Sequence, residues 1–310
     1  MADAAVSRQD VRFTSGDGEC GGWLFLPPDA TIDSPVPIVV LGHGLAGLKH
    51  QRLDAYAQRF AERGYAALAF DYRHFGSSTG EPRKLADVAQ QLEDWRSAVV
   101  CARTLEGVDP RRVVLWGTSF AGGHVIVTAA GDPGIAAAIA QCPFSDGLTA
   151  ARSMPRMTAL RLMREAAKDR KAVNRGEPPV RIPVVGSPGE VAVMTSPDSV
   201  SGLRAILEAS GEPFEIPEIP ARFMFQVPAY RPGRRASEVK APLLVCVCER
   251  DKVTPARKTE QLASRAARGE VKRYDAGHFD IYVGDWFERV VADQIDFLER
   301  HVPVEATAVR

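Results

Sequence analysis

The stretch Trp116-Gly117-Thr118-Ser119-Phe120-Ala121-Gly122-Gly123 decides the fold of this 310-residue chain. The residues before it, Arg112–Leu115, are mostly apolar and β-branched, which predicts a short buried strand. The residues after it, His124–Ala130, can continue as a helix until Gly131-Asp132-Pro133 ends it. We therefore expect a strand, a tight turn of small residues with a serine at its apex, and a helix, in that order.

This order is typical of a nucleophile elbow, in which a sharp turn lifts a serine hydroxyl out of the sheet. The helix N-terminus behind Ser119 would offer backbone N–H groups and the positive end of a dipole to a developing oxyanion. The usual pattern is Gly-x-Ser-x-Gly, and Ala121 takes the place of the last glycine. One extra methyl group is a mild departure. A glycine-rich turn with an incidental serine stays an alternative at this point.

Strands and helices alternate on both sides of this turn. Apolar runs predict buried strands at 37–41, 65–70, 135–140 and 242–248, and the segments between several of them have helical spacing. Such alternation favours a mostly parallel sheet with helices on both faces. In these sheets the chemistry lies in the loops beyond the carboxyl ends of the strands, and Ser119 lies at such an end.

The composition excludes several classes of protein. The chain is 45% hydrophobic and 25% charged, and its 39 Lys and Arg balance its 39 Asp and Glu. A nucleic-acid-binding protein would usually be more basic, so we expect no nucleic-acid partner. No apolar run is long enough to span a membrane and the N-terminus does not resemble a secretory signal, so we expect no membrane partner.

The cysteine pattern indicates a reducing environment. The chain has five cysteines, an odd number, without the spacing of a metal site: Cys20, Cys101, Cys142, Cys246 and Cys248. Cys246 and Cys248 lie in an apolar strand and are interpreted as small core residues. We therefore expect a cytoplasmic protein.

A nucleophilic serine requires two further residues elsewhere in the chain. Its hydroxyl is a poor nucleophile at neutral pH and needs a base, which in turn needs an orienting acid. Strand 242–248 leads into a loop with Glu249 and Asp251, and His278 follows the last short strand. Asp251 is favoured over Glu249 because the strand has fully ended there. Ser119, Asp251 and His278 occur in the nucleophile–acid–histidine order of one hydrolase fold.

Together these pieces resemble the α/β-hydrolase superfamily, particularly its dienelactone-hydrolase-like and bacterial serine esterase members. The resemblance spans almost all of 12–300 except the cap, and it is carried by Gly42-His43-Gly44, the loop 71–78, the Ser119 elbow, the Asp251 loop with Pro255, and Gly277-His278-Phe279. It implies an α/β-hydrolase fold, with a mostly parallel central sheet, helices on both faces and an inserted cap. The chain departs from the family at Ala121 and at His74, where a glycine is common.

The resemblance also implies roles. Ser119 would attack the acyl carbon, His278 would take its proton and pass it to the leaving group, and Asp251 would hold the imidazole tautomer. The backbone N–H groups of Leu45 and Phe120 would form the oxyanion hole, which leaves both side chains free to shape the pocket. His43 and Gly44 would shape the oxyanion loop. Triad chemistry of this kind needs no cofactor and no metal, and none is expected.

The other histidines and acids have simpler interpretations. His124, in the helix after the elbow, is expected to pack in the core. Three histidines are expected on the surface or in loops, although one of them, His74, could approach the pocket: His50, His74 and His301. Asp275 and Asp280 flank His278 too closely to orient it, and Asp71 is expected to organise its own loop.

Residues 147–225 are expected to form a cap inserted into a core of 1–146 and 226–310. This segment is rich in proline and holds all the methionines except Met1, which suits an adaptable apolar pocket or simple packing of the cap. A single helix is predicted over 149–171. Residues 149–175 carry eight Lys or Arg, a pattern that fits a solvated helix face more simply than an anionic substrate site.

The sequence predicts a serine hydrolase that cleaves a carboxylic ester, a lactone or a thioester of a small molecule through an acyl-enzyme. Two alternatives use the same triad: an amidase or small peptidase, and an acyltransferase or other non-hydrolytic protein of the fold. A degenerate, ligand-binding fold is disfavoured because all three triad residues are present. A homo-oligomer is compatible with the apolar cap, and fold alone does not identify the substrate.

Overall fold

The computed structural model of the protein describes residues 5–304. Its strands are β1 (Ser7–Ser15), β2 (Gly18–Leu26), β3 (Val36–Gly42), β4 (Ala66–Phe70), β5 (Val108–Thr118), β6 (Ile135–Gln141), β7 (Arg181–Pro183), β8 (Glu218–Pro220), β9 (Leu243–Cys248) and β10 (Gly269–Tyr274). Eight of them form one sheet in the order β1-β2-β4-β3-β5-β6-β9-β10. β1 and β2 form an antiparallel hairpin at the edge of the sheet, and all the strand pairs from β4 to β10 in this order are parallel. The predicted mostly parallel sheet is confirmed.

The helices are α1 (Asp54–Ala61), α2 (Val88–Ala102), α3 (Phe120–Gly131), α4 (Gly147–Ser153), α5 (Arg156–Asn174), α6 (Ser199–Ala209), α7 (Ala256–Ala263) and α8 (Gly284–His301). Side chains of β3 alternate between two cores because successive residues of a strand face opposite ways. Val40 packs in a core with residues of α2 and α3, whereas Leu41 packs in a core with residues of α1 and α8. Helices therefore cover both faces of the sheet, as predicted. No helix within residues 5–304 is long and apolar enough to cross a membrane.

The register of the parallel strands brings the site loops together. Gly42 of β3 pairs with Gly117 of β5, and Gln141 of β6 pairs with Cys246 of β9. The carboxyl ends of these strands are therefore adjacent, and the chain leaves them through the loops that hold His43, Ser119 and Asp251.

The chain leaves the main sheet between β6 and β9. This segment contains α4, α5 and α6, the two-stranded β7–β8 sheet, and short 3-10 turns over Ala221–Glu238. The single helix predicted over 149–171 is wrong, because α4 and α5 are separated at Met154-Pro155. Met154 is extended (φ −70°, ψ 139°), as expected for a residue before proline, whose ring disfavours a helical conformation there.

Candidate active site

Ser119 lies at the apex of the turn between β5 and α3, as the sequence predicted. Its backbone has a positive φ of 55° with ψ −117°, a strained conformation for a residue other than glycine. The surrounding backbone holds it there, since Ser119 N–H donates to Gln141 O (2.9 Å) and Phe144 N–H donates to Ser119 O (2.8 Å). Gly117 is required at this turn because a Cβ there would lie 2.5 Å from Ala121 O.

The structure brings Ser119, His278 and Asp251 into one hydrogen-bonded line. His278 Nε2 lies 3.0 Å from Ser119 Oγ, and His278 Nδ1 lies 2.6 Å from Asp251 Oδ2. Asp251 and His278 are 6% and 2% exposed, so water does not compete for these bonds. Because a carboxylate only accepts, Nδ1 carries the proton and Nε2 presents its lone pair to the serine hydroxyl.

The loop after β9 saturates the carboxylate of Asp251 with donors. Oδ1 accepts from Val253 N–H (2.7 Å) and Thr254 N–H (2.6 Å), and Oδ2 lies 2.7 Å from Thr254 Oγ1. Burial alone would raise the pKa of Asp251, but the adjacent His278 and the Thr254 donors lower it below its ordinary value. Asp251 is therefore an anion fixed in place beside the imidazole.

The negative charge of Asp251 raises the pKa of His278. Burial alone would lower the pKa of the imidazole, whereas the negative charge of Asp251 and the hydrogen bond to it stabilise the protonated form. The pKa of His278 consequently lies well above the ordinary value of 6.5. This arrangement favours accepting a proton at Nε2 when the serine hydroxyl becomes nucleophilic.

Two backbone N–H groups near Ser119 have no hydrogen-bond partner in the described part of the protein. Within the described chain neither Leu45 N–H nor Phe120 N–H donates a hydrogen bond, and Phe120 is the first residue of α3. The loop with Leu45 approaches the nucleophile closely, because a Cβ on Gly44 would lie 3.1 Å from Ser119 Cβ. Free donors at a helix N-terminus beside a serine suit the binding of a developing negative charge.

His43 lies beneath this loop and is not exposed to solvent. Its Nδ1–H donates to Gly44 O (2.9 Å), and its ring packs against the edge of Tyr72 with centroids 4.6 Å apart. Burial lowers the pKa of His43 below 6.5, so the ring is neutral. A neutral, packed ring supports the conformation of the oxyanion loop, in line with the expectation from the sequence.

Lys49 and Asp71 anchor the segment that follows β3, and no sequence pattern indicated their pairing. Lys49 Nζ lies 2.5 Å from Asp71 Oδ2 and 2.7 Å from Ser77 Oγ, and Lys49 N–H donates to Asp71 Oδ1 (2.8 Å). Both side chains are buried, Lys49 at 4% and Asp71 at 0% exposure. Asp71 organises its own loop, as expected, because its Oδ2 accepts from Ser77 N–H (3.1 Å). Through its bonds to Lys49 it also joins this loop to the segment that follows Leu45.

A buried polar network behind Ser119 was also not anticipated. Thr118 Oγ1 is hydrogen-bonded to the hydroxyl of Tyr282, a residue that lines the pocket. Gln141 Nε2 donates to Thr118 Oγ1 (3.2 Å), and Gln294 Nε2 donates to Gln141 Oε1 (2.7 Å). These bonds tie β5 and β6 to α8, so the strand end that carries Ser119 is held from several sides.

The competing acids lie away from the imidazole. Glu249 is exposed, and Asp275 forms an ion pair with Arg250 (3.1 Å). Asp280 accepts from Gly277 N–H (2.7 Å) and so holds the turn before His278. Asp251 is thus the acid that the structure places on His278 Nδ1.

The remaining histidines mostly have the positions that the sequence predicted. His124 is buried between Tyr230 Oη (2.7 Å) and Gln91 Oε1 (3.0 Å), with a pKa lowered to about 3 by burial. His74 is buried and lines the pocket, so it does approach the site. His50 lies 3.5 Å from Glu212 at the pocket wall, and His301 lies 2.5 Å from Glu270 at the end of α8.

A cavity of about 590 Å³ opens above Ser119 and His278. Apolar side chains from the core and from the cap line it, including Leu45, Leu48, Phe75, Val184, Val185, Met194, Leu203, Ile206, Leu207 and Phe279. Polar and charged residues also line it, and two of them contact segment 211–217: Lys84 forms an ion pair with Glu215 (3.6 Å), and His50 Nε2 lies 3.5 Å from Glu212. The site can therefore hold an apolar group next to the serine.

One expectation about the pocket is wrong, and an open question about its methionines is narrowed. The Phe120 side chain does not shape the pocket, because it is buried in a ring cluster with His124, Phe144, Phe223 and Tyr230. Two interpretations of the methionines in 147–225 were open, and simple packing fits most of them better than a place in the pocket, since only Met194 lines the cavity. Met224 is buried in the core, while Met157 and Met163 are exposed on α5.

One group of residues in the described chain has the side chains of a metal site. The ligand atoms of Cys142, Asp251 and His278 lie within 4.8 Å of one another. Asp251 and His278 already bind each other through the proton on Nδ1, so a metal ion here would have to displace that proton. The donor set therefore suits the proton relay better than a resident metal.

Thr254 is a positioning residue that sequence analysis missed, and its substitution gives a testable prediction. Thr254→Val keeps the backbone donor to Asp251 Oδ1 but removes the hydroxyl beside Oδ2. We expect kcat on a p-nitrophenyl ester to fall about tenfold, the equivalent of one hydrogen bond to a charged group. Thr254→Ser should restore most of kcat, and a Thr254→Val enzyme with unchanged kcat would show that the hydroxyl is dispensable.

The comparison with protein families gives one match over most of the chain. The model of the family described as serine aminopeptidase, S33, matches residues 33–282. The quorum-quenching protein AidA of Acinetobacter baumannii is 47% identical over 297 residues, which cover 96% of each chain.

Similarity extends to two fungal proteins. The polyketide transferase grgF of a Penicillium species is 29% identical over 309 residues, covering 97% of this chain and 99% of its own. The thiohydrolase aneE of Aspergillus aculeatus is 27% identical over 313 residues, covering 94% of this chain and 92% of its own. The crystal structure of the α/β hydrolase GrgF superimposes with a TM-score of 0.80 at 27% identity, covering 95% of this chain and 99% of that chain.

Proposed function

This chain belongs to the α/β-hydrolase superfamily, and we propose that it is a serine hydrolase that cleaves a carboxylic ester, lactone or thioester through an acyl-enzyme. The observation that carries the proposal is the line of hydrogen bonds from Ser119 Oγ through His278 to Asp251, with spacings of 3.0 and 2.6 Å. This line ends in an apolar cavity, where an acyl group and the reacting bond can be held together.

In the acylation step, Ser119 Oγ attacks the acyl carbon while its proton moves to His278 Nε2. The electrons of the carbonyl bond move to its oxygen, which Leu45 N–H and Phe120 N–H stabilise. Losing one donor of this kind typically costs about 3 kcal/mol of transition-state stabilisation. When the tetrahedral intermediate collapses, His278 gives its proton to the departing alcohol, thiol or ring oxygen, and the acyl group stays on Ser119.

In the deacylation step, a water molecule takes the place of the leaving group. His278 Nε2 accepts a proton from this water as its oxygen attacks the acyl carbon, and then returns the proton to Ser119 Oγ. The products are the free acid and the original enzyme. Asp251 stays ionised throughout and stabilises the imidazolium that forms in each step.

The cavity indicates the kind of acyl group. The wall formed by Val184, Val185, Leu203, Ile206 and Leu207 offers dispersion contacts and few polar partners. Arg83 lines the cavity but its guanidinium donates to the backbone carbonyls of Gly76 and Ser78, so it has little capacity left for an anionic substrate. These features favour an uncharged, apolar acyl chain.

Acyl transfer is the second candidate function. The similar grgF protein is named a polyketide transferase, and transfer differs from hydrolysis only in the acceptor that attacks the acyl-enzyme. Cleavage of an amide or small peptide is the remaining use of the same residues, and the matching family is described as a serine aminopeptidase. Both alternatives keep Ser119 as the nucleophile and change the leaving group or the acceptor.

The free cysteines support a cytoplasmic location for this enzyme. All five cysteines are unpaired, although the Cys142 and Cys248 side chains interact with each other. An oxidising compartment would promote a disulfide between neighbouring thiols, whereas the reducing cytoplasm preserves them.

A matched panel of substrates tests the proposal. One octanoyl group is presented as an oxygen ester, a thioester, a lactone of similar size and an anilide, and kcat/KM is measured for each. We expect turnover of the ester, thioester or lactone at least about 100-fold above the anilide, because the amine is the poorest leaving group. Preferred cleavage of the anilide would favour the amidase, and product formation only after an alcohol or thiol acceptor is added would favour the transferase.

A further inference from the structure

The outer face of α5 concentrates positive charge. Residues 149–175 carry eight Lys or Arg, all exposed, and only two acids: Glu165 and Asp169. Glu165 is paired with Lys168 (2.7 Å), and Asp169 is buried, where it accepts from Val180 N–H and Arg222 N–H. Within residues 5–304, six of these cations have no ion-pair partner, although Arg170 lies over the ring of Phe225: Arg152, Arg156, Arg161, Arg164, Arg170 and Lys171. The protein as a whole has no net charge, so α5 is a local cationic surface.

The same face carries half of the exposed large apolar side chains. Six such side chains are exposed in the described chain, and three of them lie on this face: Met157 (60%), Leu160 (64%) and Met163 (39%). Val173 (46%) is exposed near the end of α5, but it lies on the opposite stripe, seven residues after the buried Ala166. Scattered single exposed apolar residues are ordinary on a protein surface, but a cluster marks an interaction site. Leu162 and Ala166 are buried, so the opposite face of α5 supplies its packing on the protein.

The helical spacing interleaves the two kinds of side chain. One stripe of α5 contains four of these side chains, separated by three, four and seven residues: Met157, Leu160, Arg164 and Lys171. Arg161 flanks this stripe. Cations alternating with protruding Leu and Met side chains are typical of helices that lie in the headgroup region of an anionic bilayer.

We propose that the outer face of α5 is a reversible attachment surface for membranes that contain anionic lipids. Charge complementarity selects an anionic partner. The shape of this face favours a lipid surface over a protein partner. The apolar side chains protrude separately from a convex helix, and a deformable headgroup layer accommodates them without matching pockets. We expected no membrane partner because no apolar run is long enough to span a bilayer. Attachment to the membrane surface requires no such run, so the two statements are compatible.

Attachment would also bring the enzyme to a surface where apolar esters accumulate. β7 follows α5 in the chain and leads directly to Val184 and Val185 in the cavity wall, so the attachment helix and the cavity belong to the same cap. Binding to vesicles does not require the proposed chemistry. The Ser119→Ala protein should therefore bind vesicles as the wild type does, which separates the two proposals.

The test is sedimentation of the full-length protein with phosphatidylcholine vesicles, with and without about 30% phosphatidylglycerol. We expect binding only to the anionic vesicles, and an at least tenfold weaker partition coefficient when the salt concentration rises from about 50 to about 500 mM. The triple variant Arg161→Glu, Arg164→Glu, Lys171→Glu should bind at least about tenfold more weakly. The double variant Met157→Ser, Leu160→Ser keeps the charges and should also bind about tenfold more weakly, through lost insertion.

A matched control reverses three exposed cations elsewhere: Arg234→Glu, Lys240→Glu, Lys258→Glu. It changes the net charge by the same amount and should lower the partition coefficient by less than about threefold. Equal binding to neutral and anionic vesicles, no binding at low salt, or an equal loss in this control would overturn the proposal. So would light scattering that shows a wild-type dimer and a monomeric α5 variant, because a second copy of the chain would then cover this face.

Discussion

Ser119→Ala is expected to lower kcat/KM on a p-nitrophenyl ester by at least about 10⁴-fold. The substitution removes the only oxygen that His278 Nε2 activates at 3.0 Å, and no other hydroxyl takes that place in the described chain. The oxyanion donors and the cavity remain, so a small residual rate above that of water is expected. The backbone at 119 keeps its bonds to Gln141 and Phe144, and the variant should therefore unfold at nearly the wild-type temperature.

Ser153→Ala is the matched control, because Ser153 is an exposed serine in α4 and does not line the cavity. It should keep wild-type kcat/KM. Circular dichroism of both variants separates lost chemistry from lost structure. Wild-type turnover by a folded Ser119→Ala protein would mean that Ser119 is not the nucleophile.

Asp251→Asn is expected to lower kcat by about 10⁴-fold, the loss seen when the acid of a serine triad is made an amide. The loop explains why. Val253 N–H and Thr254 N–H point at Oδ1, so the asparagine oxygen will occupy that position and its NH₂ group will face His278. Nδ1 must then accept a hydrogen bond, which moves the proton to Nε2, and Nε2 can no longer take the proton of Ser119.

Glu249→Gln is the matched control, since it makes the same carboxylate-to-amide change on an exposed side chain two residues before Asp251. It should leave kcat within about twofold of the wild-type value. A larger loss in Glu249→Gln than in Asp251→Asn would mean that the acid has been misassigned.

The pH profile provides a second readout of Asp251. His278 must be neutral to accept a proton, and its neutral fraction grows as the pH rises through its raised pKa. We therefore expect kcat/KM to rise with pH along a limb whose midpoint lies above 6.5, the ordinary value for histidine. In Asp251→Asn the negative charge is gone, so the residual activity should rise at lower pH. An ascending limb that stays at the same pH in both proteins would contradict this role of Asp251.

The triad positions could be predicted because each residue follows a local signal. Ser119 lies between a buried strand and a helix, Asp251 follows the apolar strand β9 and His278 follows the short strand β10. In a parallel sheet the carboxyl ends of the strands share one edge, so local strand assignments were enough to bring distant residues together. The mostly parallel sheet followed from the same alternation.

Supporting contacts could not be predicted because they depend on tertiary packing. Lys49 and Asp71 are 22 residues apart, and Thr118 and Tyr282 are 164 apart, with no pattern that links either pair. Phe120 is apolar and adjacent to the nucleophile, yet its side chain turns into a ring cluster instead of the pocket. The break at Pro155 is different, since the effect of proline on the preceding residue is local and the sequence did contain that signal.

The central claim, that Ser119 forms the acyl-enzyme, is tested most directly by mapping the site of covalent labelling by a fluorophosphonate. The protein is labelled at neutral pH and digested, and the modified peptide is sequenced by mass spectrometry. We expect one label per chain, on Ser119 in the peptide that contains Trp116–Gly123, and no label after Ser119→Ala. A label on any other residue, or a catalytically active protein that takes no label, would contradict the claim.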